Sequence, residues 1–558
     1  MKKPLSFRLK NLSRAVCLCL LLVAFSAASA FAVRQERKID AWQPLHFDIK
    51  LAFDYALTRI NEATTDITVL IRQNDVTKID FDFGRLPVSL VKVNNEPARF
   101  AQTGEKLDVY LTKEAKNGEK LNISVTYSGV PEDGLILKKD ADGNQSAVGD
   151  NWADRVHHWI PCLDHPSAKA SVRFTVTAAA DNAVVANGIL ESSKRNADAT
   201  GTWIYSESRP VSPYNMVVAV GRFANAALKT NAPVPISYYV PQSDRKFAAQ
   251  GFSSAAPSVL TFSNLIAPYP YGKLALIIGA TRFGGMENAN TIVFTPTLFK
   301  DFLSAKPRSA RYKIPRGVEE VVAHEIAHQW FGDSVTEATW ADLWLSEGFA
   351  TYFAGVFVEK NEGKAAFRAY MREKAGSYLQ YEKIRKTPIF DTETEKLFDL
   401  LTPNNYEKGG WVLHMLRGIL GDRAFFEGLK DYYLKHQDST ATTEDLRAAL
   451  EGASGKDLKN FFDRWIYKAG HPIYQASWKE SSKGTIELTL KQTQTDEAFL
   501  QPVVIEIATG KGAQRVTVTP NDKETTVKVK TAAPKKITID PDEFILKEVV
   551  FKSISITG

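Results

Sequence analysis

The spacing of apolar residues changes twice along this 558-residue chain, and those two changes bound what it can fold into. From about residue 41 to 223 apolar positions alternate with polar ones. Phe47, Ile49, Leu51 and Phe53 share one face, as do Leu121, Ile123, Val125 and Tyr127 against Asn122, Ser124 and Thr126. Clusters of Gly, Asn and Asp separate these runs, which predicts an antiparallel β region with one face on a core. After about residue 241 the spacing becomes helical, over 248–266, 315–331, 348–358, 364–381, 408–420 and 423–435. Thr442 or Thr443 can cap a further helix that runs to Glu451, with Glu444 and Asp445 in its first turn. From Ile473 alternation returns, with Ile486, Leu488 and Leu490 and then Val527 and Val529 on one face. The expected architecture is multidomain α+β. It has an N-terminal antiparallel β domain at 33–240, a mainly helical domain at 241–472 and a small C-terminal β-sandwich at 473–558. The length agrees, because a single hydrophobic core does not grow to this size and about three domains are expected.

The first 32 residues stand apart. Lys2, Lys3, Arg8, Lys10 and Arg14 precede an apolar run at 15–24, and Ala28, Ser29, Ala30 and Ala32 offer small residues at cleavage spacing. This pattern predicts a signal peptide and an exported, periplasmic or secreted protein. The run is shorter than the roughly 20 apolar residues a bilayer span needs, so no stable membrane insertion is expected after cleavage. Cys17 and Cys19 would leave with the leader, and Cys162 alone would remain, which rules out an internal disulfide. A buried packing role is expected for Cys162 rather than metal binding or nucleophilic attack. The net charge of +6 is small for the length, and acidic residues are interleaved with basic ones. No nucleic-acid partner is expected.

Within the helical region stands His324-Glu325-Ile326-Ala327-His328, an HExxH pattern. Residues four apart share a helix face, so both imidazoles can converge on one metal ion. Glu325 points off that convergence and can reach a water at an open position. A catalytic zinc needs a third protein ligand, and Glu347 supplies one after eighteen intervening residues, at the start of the next helical stretch. With nine histidines in the chain, HExxH arises by chance in roughly one sequence in a hundred. The correctly spaced glutamate makes coincidence rarer still. His157, His158 and His165 could form another metal site, but their spacing is not helical, and polar-surface or hydrogen-bonding roles are expected for them. Trp340 and Trp344, between the zinc segments, are expected to be core.

Two weaker signals flank this one. Gly284, Gly285, Met286, Glu287 and Asn288 follow an apolar run at 274–278, and two glycines let backbone approach a ligand. Tyr406, in Tyr406-Glu407-Lys408-Gly409-Gly410, could donate a hydrogen bond to an oxygen that gains charge. Together with Pro161-Cys162-Leu163-Asp164-His165-Pro166, Lys169-Ala170, Pro268-Tyr269-Pro270-Tyr271 and Gly470-His471-Pro472, these motifs occur in an order that resembles one family. It is the zinc metallopeptidase family that includes aminopeptidase N and leukotriene hydrolase. The resemblance implies a thermolysin-like catalytic domain holding one zinc ion on His324, His328 and Glu347. It implies that Glu325 is general base and then general acid, and that Tyr406 stabilises the oxyanion. Glu287 would hold the free α-ammonium of a peptide substrate, and Gly284, Gly285 and Met286 would pair with its backbone, with Asn288 in the same binding segment.

Two departures from the family pattern accompany the resemblance. Many members carry a second amine-holding residue shortly before the Pro-Cys motif; here Asp150, Asn151 or Asp154 stand nearby. The large helical C-terminal domain of many members is not expected here beyond the β-sandwich, so longer substrates are expected to reach the site more freely. The function these residues predict is removal of the first residue from peptides with a free N-terminus. The rival readings are an inactive, peptide-binding relative and an epoxide hydrolase on the same scaffold. Every ligand and the base are present, which argues against the inactive form.

Overall fold

The computed structural model describes residues 33–303, 306, 311 and 313–550. The expected leader lies outside the described residues. Alternation builds the first sheet: in Trp42–Phe53 the side chains of Phe47, Ile49 and Leu51 are buried while their neighbours are partly exposed. The strand pairs antiparallel with Ile60–Ile71 across a turn in which the Asp54 carboxylate accepts from the backbone of Thr58 and Arg59. The eight strands lie in the order Ile189–Arg195, Thr200–Val211, Ala170–Ala179, Trp42–Phe53, Ile60–Ile71, Lys120–Gly129, Val88–Val93, Glu96–Pro97. One pairing departs from the expected antiparallel order. Trp42–Phe53 runs parallel to Ala170–Ala179, with His46 opposite Ser171. Parallel neighbours need a long connection, and the many strands between them in the chain provide it. A three-stranded sheet of Val76–Asp82, Lys106–Ala115 and Phe100–Thr103 packs nearby.

The expected boundary at residue 240 falls inside a sheet. Ala224–Ala227, Ile236–Val240, Leu274–Ile278, Thr291–Phe294 and Gly285–Met286 are neighbours in one five-stranded sheet. Ile236–Val240 and Leu274–Ile278 are parallel and are joined through the helices Arg245–Gly251 and Ala255–Leu265, a βαβ crossover. Ile236, Tyr238 and Val240 alternate like the strands before them, and a period of two does not say which sheet a strand joins. Leu274–Ile278 is buried at every residue, as an interior parallel strand must be.

The helical region follows. Arg316–Ala327 and Trp344–Glu362 pack together, and the second is buried from Trp344 through Val358. A helix apolar all round belongs inside a domain. Trp340 and Trp344 are buried, as expected. Thr442, not Thr443, caps the helix Thr443–Ser454, its hydroxyl and the Asp445 carboxylate forming a capping box. Lys169 ties the first region to this one, donating to the carbonyls of Asp333 and Ser334 and to the Thr336 hydroxyl, each at 2.8 Å. At the other end His471 bonds Glu382 and Glu548. The C-terminal strands form a four-stranded and a three-stranded sheet whose alternate residues, among them Leu488 and Ile505, are buried. No described helix is long and apolar enough to cross a membrane.

Candidate metal centre and cavity

His324 lies in the last turn of Arg316–Ala327 and His328 is the first residue beyond it. His328 keeps right-handed helical dihedrals, so the four-residue spacing still puts both rings on one face. Their Nε2 atoms are 3.1 Å apart, and each is 3.4 Å from Glu347 Oε2. Glu347 arrives from the first turn of Trp344–Glu362. Ligand bonds of about 2.0–2.1 Å in a tetrahedral site place donor atoms about 3.3 Å from one another. The three donors therefore fit a zinc-sized ion with one coordination position left open. Two details favour a cation there. Glu347 Oε2 is buried with no hydrogen-bond partner. His328 Nδ1 lies 3.1 Å from the Phe331 carbonyl and 2.9 Å from Ser346 Oγ. A carbonyl only accepts, so the neutral ring carries its proton on Nδ1 and turns the Nε2 lone pair towards the cluster.

Glu325 sits against the strand Gly285–Met286. A Cβ on Gly285 would lie 2.2 Å from Glu325 Oε1, so only glycine allows this approach. Gln329, directly after the HExxH pattern, fixes the neighbouring turn: its Nε2 donates to the Glu287 carbonyl at 2.9 Å and its Oε1 accepts from Asn290 N at 2.7 Å. Glu287 is buried and its Oε1 has no partner. One oxygen or nitrogen each of Glu287, Glu325 and His328 also lie within 4.8 Å of one another. Tyr406 comes from a π-helical turn, Asn404–Lys408, and its ring stacks on His324 with centroids 6.0 Å apart. Backbone contact brings it there: a Cβ on Gly348 would meet Gly409 Cα at 2.9 Å, so the helix Gly409–Leu420 presses directly on the helix of Glu347.

Comparison with known proteins agrees with this arrangement. The Peptidase M1 N-terminal domain matches residues 43–215, and the Peptidase family M1 domain matches 256–465, which includes the cluster just described. The chain belongs to peptidase family M1. It is similar to "Probable aminopeptidase 2" of Sulfurisphaera tokodaii, 30% identical over 69% of this chain and 50% of that protein. It is also similar to "Aminopeptidase 2" of Candida albicans, 27% identical over 92% of this chain and 57% of that protein. "Aminopeptidase M1" of Arabidopsis thaliana is 30% identical over 59% of this chain and 37% of that protein. The chain thus spans about half the length of such relatives, or less.

In this M1 chain the cluster faces a cavity of about 460 Å³, large enough for a small ligand. Gly284, Gly285, Met286 and Glu287 line it with the three donors, Glu325 and Tyr406. Asn288 does not: it is fully buried, its amide turned back to the Met286 carbonyl and its own carbonyl accepting from Thr291 in the turn between two strands. Of the residues before the Pro-Cys motif, Trp152 reaches the cavity. Asp150 accepts from Arg155 and Thr281, Asn151 bonds Trp159 and Met216, and Asp154 lines a different cavity. Trp152, Gln329 and Ser346 were not foreseen, because a lone tryptophan, amide or hydroxyl carries no spacing signal.

The electrostatics call for a cation. Burial pushes Glu287 up to about 7, and burial with the charges of Glu287 and Glu347 raises Glu325 well above the carboxylate range. Burial opposes charge on His328, yet the carboxylates of Glu287 and Glu347 overcome it and hold that ring up at about 10. Three carboxylates share one pocket with two imidazoles, so the cluster draws a proton where a divalent ion would sit. Burial and Glu347 raise Tyr406, which keeps its hydroxyl a donor.

Proposed function

We propose that this M1 chain is an exported zinc aminopeptidase, periplasmic or secreted, that hydrolyses the first peptide bond of peptides with a free N-terminus. The observation that carries the reading is one cavity holding both the His324, His328 and Glu347 donors, 3.1–3.4 Å apart, and the unpartnered Glu287 carboxylate. One zinc ion, bound by those three side chains, would supply Lewis acidity to the scissile carbonyl and acidify a water. Glu325 takes a proton from the attacking water at its carboxylate and returns it to the departing amine. The Tyr406 hydroxyl donates to the oxygen that becomes negative. Glu287 accepts from the substrate ammonium and so fixes how far the chain enters; Gly284, Gly285 and Met286 offer backbone to it. Trp152, Phe283, Met286 and Leu401 line the same cavity and favour an apolar first side chain. The helical region is read as a thermolysin-like catalytic domain, and the two C-terminal sheets as halves of a small sandwich.

Aminoacyl-anilides and short peptides, free and N-acetylated, test this reading. The wild type should cleave the free ones and lose activity to a chelator. Glu287→Ala should cut kcat/KM for free peptides by about thirtyfold or more, since losing one partner of a buried charged pair costs about 2–5 kcal/mol. Acetylated peptides, already poor, should change little. Equal losses for both classes would remove Glu287 as the amine holder, and chelator-resistant activity would remove the metal.

A further inference from the structure

A second cluster of metal-binding side chains lies in the N-terminal region, where the sequence alone argued for hydrogen-bonding histidines. Glu105, His157 and His158 each present one donor atom, all within 4.8 Å of one another. The chain holds them together by adjacent backbone groups. Phe83 N donates to the Glu105 carbonyl at 3.0 Å and Gly84 N donates to the His157 carbonyl at 2.8 Å. Asp82, one residue earlier, exchanges both backbone bonds with Cys162, which ties in the loop that carries Asp164. Glu105 and the adjacent pair His157 and His158, distant in sequence, are thus registered by one short strand extension.

The rings are prepared as ligands. His157 is 8% exposed, and its Nδ1 lies 2.7 Å from the Asp164 carboxylate. That carboxylate accepts from Nδ1, so the neutral ring keeps its proton there and offers its lone pair at Nε2, the usual orientation of a metal-bound histidine. Nε2 has no hydrogen-bond partner although it is buried, and it lies 3.8 Å from Glu105 Oε2. His158 Nδ1 is likewise buried and unpartnered, and the two rings are 4.2 Å apart. Glu105 is half exposed, beside the turn into Lys106–Ala115, and can move the last ångström towards the nitrogens. Lys106, the residue after Glu105, is already paired with Asp82. A cavity of about 330 Å³, in which carboxylates outnumber basic residues, gives access to His157 and Glu105.

We propose that Glu105, His157 and His158 form a second site for a divalent first-row metal ion, zinc above all. Two imidazoles and one carboxylate are a borderline donor set that suits zinc and not calcium or magnesium. The site is separate from the main cavity. Trp340 lines the second cavity and Trp152 the first, and the two rings pack edge to face at 5.7 Å. A metal here therefore does not touch the proposed catalytic residues.

The test counts zinc. Full-length protein is stripped with a chelator, re-equilibrated with micromolar Zn²⁺, desalted and measured by elemental analysis, with calorimetric titration of Zn²⁺ alongside. The wild type should hold two ions. Glu105→Gln, a change at an exposed side chain, and His158→Asn should each bind one ion at least tenfold more weakly while leaving anilide hydrolysis unchanged. His328→Asn should lose the other. A wild type holding one ion, lost in His328→Asn, overturns the proposal; so do two ions with unaltered affinities in both Glu105→Gln and His158→Asn. A single ion kept by His328→Asn and lost by His158→Asn supports this site and instead defeats the proposed catalytic centre.

Discussion

The two histidine and glutamate clusters have the same composition and different supports. In the first, His324, His328 and Glu347 stand on two packed helices, their donor atoms are already 3.1–3.4 Å apart, and His328 and Glu347 are almost wholly buried. In the second, a hairpin turn and a one-turn helix carry the candidate donors, His157 Nε2 and Glu105 Oε2 are 3.8 Å apart, and the Glu105 side chain is 53% exposed. Rigid elements hold donors at bonding geometry before an ion arrives, whereas a loop site closes only when the ion supplies the energy. A further difference is chemical. Beside the first cluster stand the Glu325 carboxylate, the Tyr406 hydroxyl and the unpartnered Glu287 Oε1, all lining its cavity; beside the second stand the salt-bridged groups of a smaller cavity.

The largest effect should fall where that machinery is. Glu325→Gln removes the proposed base but none of the three donors, so kcat should fall by about 10²–10⁴-fold with the zinc count unchanged. An active Glu325→Gln enzyme would make the first cluster, like the second, a binding site and not a reaction centre. Tyr406→Phe comes next. In the proposed mechanism its hydroxyl is needed only as charge develops, so kcat should drop by about 10²–10³-fold, the value of one oxyanion donor, while KM barely moves. A pure KM effect would place that hydroxyl in substrate binding instead.

The same contrast explains what could be read from the sequence. His324 and His328 lie four apart on a helix, and a helix turns any such pair into neighbours; Glu347 could be counted from them. Those donors were legible because one regular element, or two packed together, does all the positioning. Glu105 joins His157 and His158 through backbone bonds from Phe83 and Gly84, and no periodicity announces a contact between residues some fifty apart. For the same reason the parallel pairing of Trp42–Phe53 with Ala170–Ala179, and the sheet that crosses residue 240, escaped a reading based on alternation. The two glycines before Met286 were read as room for a ligand. Both line the cavity; Gly285 also makes room for Glu325, while the space where a Cβ on Gly284 would stand is open. Asn288 shares their motif but serves the turn behind it.

The smallest effects should come from the groups that orient one histidine in each cluster, and they separate the two supports most finely. His157 is oriented by a side chain alone: Asp164 accepts from its Nδ1 at 2.7 Å. His328 has two partners at Nδ1, Ser346 Oγ at 2.9 Å and the Phe331 carbonyl at 3.1 Å. Asp164→Asn keeps the size of the side chain but weakens the acceptor, so zinc affinity at the second site should fall by about 10–100-fold, the usual loss for an outer partner of a metal-bound histidine. Ser346→Ala leaves the Phe331 carbonyl in place to accept the same proton. Zinc affinity at the first site should therefore fall by less than about tenfold, and kcat should hold once the ion is restored. Calorimetric titration of the two variants reads both numbers. If Ser346→Ala proves the more damaging, the backbone carbonyl is not what sets the His328 tautomer, and the helix-borne cluster depends on side-chain support as much as the loop-borne one does.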